Sequence, residues 1–224
     1  MTARDHRALT RSVSNERPES RRRGELTQER LISATLRTLR DRGYRATTAR
    51  AVAQVAGVAP GVIYYHYDSV EALLLASLHD ISRRRLAAYA RALANATTAS
   101  NIVTALATLY EEDMESGHIS AIQELVAGAS SSTELGREIA NQIEPWIDFA
   151  ERAVQRFAAG TRFESIIPAR DVAFSGVALY LGMETLTHLD GDRSSVLSLL
   201  AFGQRVAPII DLMLGKRSDG EKSE

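Results

Sequence analysis

The chain has 224 residues, 27 Lys+Arg against 28 Asp+Glu and a formal charge of -1, with 45% hydrophobic and 25% charged residues and no cysteine. Such a balance fits a globular chain of one domain or two small ones and excludes collagen-like or low-complexity architectures. The missing cysteines exclude a disulfide framework, a zinc-thiolate site and a cysteine nucleophile. No apolar stretch is expected to approach the roughly 18 residues of a membrane helix, and no signal-like apolar segment opens the chain, so a cytoplasmic location is expected.

In chain order, residues 1–24 are polar and end in Arg21, Arg22 and Arg23, a composition expected to stay disordered. From Thr27, a plausible N-cap, apolar Leu31, Ile32, Leu36 and Leu39 recur at helical spacing until Gly43. Thr47 and Thr48 open a short helix carrying Val52, Ala53 and Ala56. Gly57 interrupts, and a third helix is predicted from Pro60 to His66. Ser69 caps a long helix to about residue 95, with Leu73, Leu74, Leu78 and Ile81 on its stripe. Further helices are predicted over residues 101–116, then around Ile119–Val126, and from Thr133 to Ala159 with a kink at Pro145. The last two run from Pro168 to His188 and from about Ser194 to Leu214, ahead of a disordered tail over 216–224. The fold class is all-α, with about nine helices: a reader over residues 25–70 and a larger body over 71–215.

Charge divides along the same line. Residues 1–70 carry 13 Arg, no Lys and 7 Asp+Glu, a net of 13 − 7 = +6; residues 71–224 carry 14 Lys+Arg and 21 Asp+Glu, a net of 14 − 21 = −7. A basic end on a near-neutral chain points to nucleic acid. Helices two and three sit in that end. A short helix, a Gly57 turn and a second short helix, joined through Val52, Ala53, Val58 and Ile63, match a helix-turn-helix, whose second helix enters the major groove. Arg45 and Arg50 flank it and suit phosphate contact. Tyr64, Tyr65 and His66 end the second helix with groups that reach phosphates, while Tyr67 is assigned to the core. The Arg21–Arg23 run is a candidate minor-groove arm.

At these residues the sequence resembles the TetR family of bacterial transcriptional repressors, through residues 27–75. The motifs are Gly43-Tyr44, Thr47-Thr48 with Val52-Ala53, Ala56-Gly57-Val58, Ile63-Tyr64-Tyr65-His66-Tyr67, and Ser69-Val70 with Leu73. Two positions depart from the family pattern. Ala59-Pro60-Gly61-Val62 stands where Ser-Lys-Gly-Thr is common, and Val70 stands where a Lys phosphate anchor is common. Pro60 or Val62 can instead touch a thymine methyl. The candidate DNA-binding set is Arg45, Thr47, Thr48, Arg50, Pro60, Gly61, Val62, Tyr64, Tyr65 and His66.

The resemblance implies an effector pocket within the body, a homodimer through the last two helices, and a palindromic double-stranded operator. Tyr110, Met114, Trp146, Phe149, Tyr180 and Met183 are candidate lining residues for a small apolar or aromatic effector. The last two helices carry more apolar residues than one side can bury, consistent with a dimer seam. No cofactor, metal, membrane partner or catalytic residue is expected. The five histidines are scattered, Glu115-x-x-His118 is only half of a di-iron pattern, and no nucleophile elbow or phosphate loop occurs. A non-enzymatic regulator is the expected function. The alternative is a helical ligand-binding or scaffold protein without sequence-specific DNA binding, kept open by Val70 and by residues 59–62.

Overall fold

The computed structural model describes residues 16–215 apart from 130, 131 and 163, with side chains from Arg21 onward. Among the described residues every regular element is helical. In order they are α1 (Glu16–Arg42), a 3-10 turn (Tyr44–Ala46), α2 (Ala49–Ala56), α3 (Gly61–His66), α4 (Val70–Ala92), α5 (Ala99–Ser116), α6 (His118–Ala129), α7 (Thr133–Ala158), α8 (Ala169–Asp190) and α9 (Ser194–Met213).

Polar caps set several of the boundaries. Thr48, Ser69, Thr98 and Ser132 each accept a hydrogen bond from the backbone N–H three residues on, satisfying a donor that the first helical turn leaves free. Gly57 closes α2 at φ 67°, a left-handed conformation open to glycine at little cost.

Helix α1 departs from expectation. It begins at Glu16, so residues 16–24 are helical where a tail was expected, and the Thr27 hydroxyl donates to the Arg23 carbonyl instead of capping. Glu and Arg have good intrinsic helix propensity, Arg21 pairs with Glu25 one turn on, and extending an existing helix avoids the nucleation cost. Apolar residues are therefore not needed to hold this turn. Residues 1–15 and 216–224 lie outside the described residues. Helix α7 runs through the exposed Pro145 as one element.

Three apolar clusters join the helices. Leu31, Ala34, Val52, Ala53, Ile63 and Leu73 form the reader core across α1 to α4, with Val58 and Tyr67 packed against it. Leu39, Leu74, Leu78, Ile81, Ala121 and Leu125 tie α1 and α4 to α6. Tyr89, Leu93, Leu109 and Phe149, with Trp146, hold α4, α5 and α7 in the body. At the far end, the buried Asp211 of α9 accepts bonds from the Ala99 and Ser100 N–H groups, at 2.6 and 3.0 Å, and from the Ser100 hydroxyl at 2.6 Å. A carboxylate thus meets the positive end of α5, where its charge is favoured.

The expectation about apolar stretches needs correction for α9. It is long and apolar enough, by length and composition alone, to cross a membrane, and only 17% of its most apolar stretch is buried within this chain. Its inward Asp211 and its Arg205, Pro208 and Gln204 are poor membrane residues.

Candidate functional site

In the reader, α3 is divided by burial. Ile63 is fully buried, whereas Tyr64 is 58% and Tyr65 85% exposed. Three consecutive residues of a helix cannot share a face, so the buried Ile63 orients the two tyrosines outward. The Tyr65 and His66 rings meet edge to face at 5.0 Å. Gly61 and Pro60 are exposed at the start of α3, and a Cβ built on Gly61 would meet nothing within 4 Å. Val62 is half-buried beside them. Arg45 and Arg50 are exposed, with no ion pair among the described residues. Thr48 is exposed too, and because its oxygen accepts the Ala51 N–H, its own proton is free to donate.

Thr47 does not belong to this surface. It is 6% exposed and its hydroxyl donates to the Gly43 carbonyl at 2.8 Å. Its role is to shape the 3-10 turn that delivers Thr48, and burial removes it from DNA reach. The Arg21–Arg23 run lies on helical α1 rather than on an extended arm, with all three side chains exposed. A helix is too wide to thread a minor groove of about 6 Å. One contact escaped the sequence reading: Arg30 donates to the Ala56 carbonyl at 2.7 Å, pinning the end of α2 to α1. No short-range pattern links positions 26 residues apart.

Helix α6 joins reader to body. Its Glu124 accepts the Tyr44 N–H at 2.8 Å and lies 3.6 Å from His188 of α8, while Gln123 accepts from the Thr185 hydroxyl at 3.1 Å. Gly128 carries the Tyr44 ring directly on its backbone: an added Cβ would lie 2.6 Å from three ring carbons. Gly128→Ala is therefore expected to push Tyr44 off α6 and destabilise the chain by about 1–3 kcal/mol through overpacking. Urea unfolding of the two proteins checks this; equal midpoints would mean the ring relaxes freely.

The body interior is more polar than expected. Arg85 of α4 forms an ion pair with Asp113 of α5, both nine-tenths or more buried. Arg85 also donates to the Tyr180 hydroxyl at 3.2 Å and the Tyr89 hydroxyl at 3.4 Å, and Tyr89 donates to Asp113 at 3.0 Å. Glu184 of α8 is 2% exposed, and neither carboxyl oxygen has a hydrogen-bond partner. Burial pushes its carboxyl up to about 7, against the opposing pull of Arg85 and Arg193. The Tyr110 hydroxyl is buried, also without a partner at hydrogen-bonding geometry, and burial raises the Tyr180 hydroxyl well above the ordinary tyrosine value. Burial, with Arg85, Arg84 and Arg40, lowers His118.

Of the six candidate lining residues, Tyr110 and Tyr180 reach this polar cluster. Trp146 and Phe149 pack in the adjoining apolar cluster, where Trp146 donates to the Ser82 hydroxyl at 2.9 Å and stands edge-on to Tyr89 at 5.3 Å. Met114 and Met183 are half-buried. Sequence periodicity could not separate these roles, because apolar and polar inward positions share one spacing. Two open grooves occur elsewhere: one of about 410 Å³ between α1, α4 and α7, the other of about 600 Å³ along α1 and α2. On the outside, α8 and α9 expose Phe174, Leu179, Leu189, Phe202, Ile209 and Leu212.

Residues 31–77 match the family model for bacterial regulatory proteins of the tetR family. An uncharacterized HTH-type transcriptional regulator of Mycobacterium tuberculosis is 26% identical over 191 residues, covering 82% of this chain and 96% of that one. The HTH-type transcriptional repressor KstR2 of Rhodococcus jostii is 33% identical over 100 residues, 45% of this chain and 47% of its own. In fold, the chain is similar to the transcriptional regulator FadR of Bacillus subtilis, solved in complex with stearoyl-CoA. The TM-score is 0.64 at 15% identity, over 80% of this chain and 96% of that one. The helix-turn-helix built on Ile63 thus lies in a segment, residues 31–77, that is similar to bacterial regulatory proteins of the tetR family, and the chain as a whole shares the all-helical fold of FadR.

Proposed function

We propose that this chain is a ligand-responsive repressor that binds a palindromic DNA operator as a homodimer. The observation that carries this reading is the division of α3: Ile63 locks it into the reader core while Tyr64 and Tyr65 stand outward, flanked by the exposed Arg45 and Arg50. A two-fold axis through α8 and α9 would cover their exposed apolar side chains and set two copies of α3 about one DNA turn apart. The reader spans about residues 25–70, with α1 reaching further toward the N-terminus, and the body spans 71–215. The action is placed in the cytoplasm, with the DNA.

The effector is a small molecule held in the body. KstR2 is named a repressor, which supports repression, and FadR of Bacillus subtilis was solved with stearoyl-CoA, which supports a body that takes a ligand with an apolar chain. A ligand releases DNA only by binding one conformation of the body more tightly than the other. Helix α4 runs from the reader core at Leu73 to the polar cluster at Arg85 and Tyr89, so movement there reaches α3 through one rigid element.

A mobility-shift titration on the DNA upstream of the coding sequence tests this reading. Arg50→Ala is expected to weaken binding and flatten the dependence of log K on log salt by about one unit, the signature of one lost phosphate charge. Tyr64→Ala is expected to weaken binding by about 1–3 kcal/mol with an unchanged slope, because a neutral hydroxyl displaces no counterion. Wild-type binding that is as weak on this DNA as on unrelated DNA would refute the repressor reading.

A further inference from the structure

We propose that Glu184 is the anchor for a protonated amine, so that the effector is an amphiphile with a primary or secondary ammonium group on an apolar body. The inference rests on the reading of the body as an effector domain and names the chemistry that domain selects.

Polar groups buried from water are normally hydrogen-bonded, and each one left alone calls for a ligand, ion or water. Glu184 has two such oxygens at 2% exposure, and the buried Tyr110 hydroxyl stands beside it with Thr187 as its polar neighbour. The Tyr110 hydroxyl has a single proton to offer two carboxyl oxygens, and the neighbouring Arg85 and Thr185 are engaged elsewhere. Arg85 is held by Asp113, Tyr89 and Tyr180, and the Thr185 hydroxyl serves Gln123. What the site lacks is a donor-rich group, and an ammonium, with three N–H donors and no acceptor, supplies only donors.

Charge selects the same class. Arg85 cancels Asp113, and His118 is held toward its neutral form. An ionised Glu184 then leaves the cluster one negative charge in excess, with the exposed Arg193 the remaining cation in its neighbourhood. A carboxylate ligand would set like charge beside Glu184, and an alcohol brings a single donor to two oxygens. A cation with several donors restores both neutrality and hydrogen bonding. The apolar part of the ligand has a neighbouring place: Tyr89 joins the polar cluster to Leu93, Leu109, Phe149 and Trp146. Because the cluster is made jointly by α4, α5 and α8, occupying it must move helices that touch in the present conformation, and α4 passes that movement to the reader.

Trp146 is the sole tryptophan and stands against Tyr89, so its fluorescence reports on the site. The test titrates the full-length protein at pH 8 with octylamine, octanol and octanoate, which share one chain and differ in headgroup. Octylamine is expected to bind about tenfold or more tightly than either other ligand, and Glu184→Gln to bring it to the level of octanol. Equal affinities, a preference for octanoate, or an amine preference that survives in a folded Glu184→Gln protein would each overturn the anchor. The wild-type series decides by itself if circular dichroism shows the variant unfolded. A mobility shift on the upstream DNA is run alongside. DNA binding without amine preference would sink the anchor alone; amine preference without DNA binding would sink the repressor reading and leave the anchor standing.

Discussion

Replacing Asp113 with Ala is expected to destabilise the folded chain by about 3–5 kcal/mol, the usual consequence of leaving one partner of a buried ion pair uncompensated. The reason lies in what surrounds Arg85. Its guanidinium is 93% removed from solvent, with Asp113 its ion-pair partner, and the two tyrosine hydroxyls that accept from it carry no charge. Deleting the carboxylate also strips Tyr89 of its acceptor. Asp113→Asn keeps an acceptor for Tyr89 and removes only the charge, so it separates the two contributions. Glu184 supplies a further check. With Asp113 neutral, Arg85 should draw Glu184 into its ionised form and recover part of the loss. The double variant Asp113→Asn/Glu184→Gln is then less stable than the sum of the single changes, a coupling that a double-mutant cycle measures. Urea denaturation at pH 7 is the measurement, and a loss below about 1 kcal/mol for Asp113→Ala would mean that Arg85 readily finds water.

The second large effect is a stability that falls as pH rises. The Glu184 carboxyl lies at about 7 in the folded chain, against an ordinary 4.5, because burial disfavours its charge more than Arg85 and Arg193 favour it. The folded state therefore holds this proton longer than the unfolded state. Between about pH 4.5 and 7 the folded state binds more protons, so stability declines with pH across that window and levels off above it. The loss from this group approaches about 3 kcal/mol. The charged and titratable groups facing it are Arg85 and Arg193, with the hydroxyls of Tyr89, Tyr110 and Tyr180 raised toward their neutral forms. Glu184→Gln is expected to be nearly as stable as wild type at pH 5 and more stable at pH 8. Thermal unfolding of both proteins from pH 4.5 to 8 reads the difference, and parallel profiles would show that Glu184 is solvated in solution.

Most of the reader could be seen in the amino-acid order. Thr48, Gly57 and Ser69 act within a turn of where they stand, through caps and a left-handed glycine, and such short-range devices survive in a linear sequence. The surface exposure of Tyr64 and Tyr65 was also accessible, since the spacing that buries Ile63 turns its neighbours away. Thr47 was not. Its Thr48 neighbour looks identical in sequence, and only the 3-10 turn decides which of the two hydroxyls is consumed by Gly43. The start of α1 carries no apolar periodicity to mark it, because residues 16–24 extend the helix through propensity and charge pairing.

By itself, then, the sequence determined the fold class, the helix-turn-helix and the separation of a basic reader from an acidic body, because periodicity, caps and charge are local properties. Only the tertiary structure decided which inward residues meet. Arg85, Asp113 and Glu184 come from three helices and are up to 99 positions apart, a count that is simply 184 − 85. Tyr44 sits on Gly128 and Arg30 reaches Ala56 in the same long-range way. The physical reason is that a buried charge is set by what packs around it. An Asp or Glu on a helix reads as solvated until another helix closes over it, and here that closure sets Asp113 and Glu184 in the interior of the body beside Arg85.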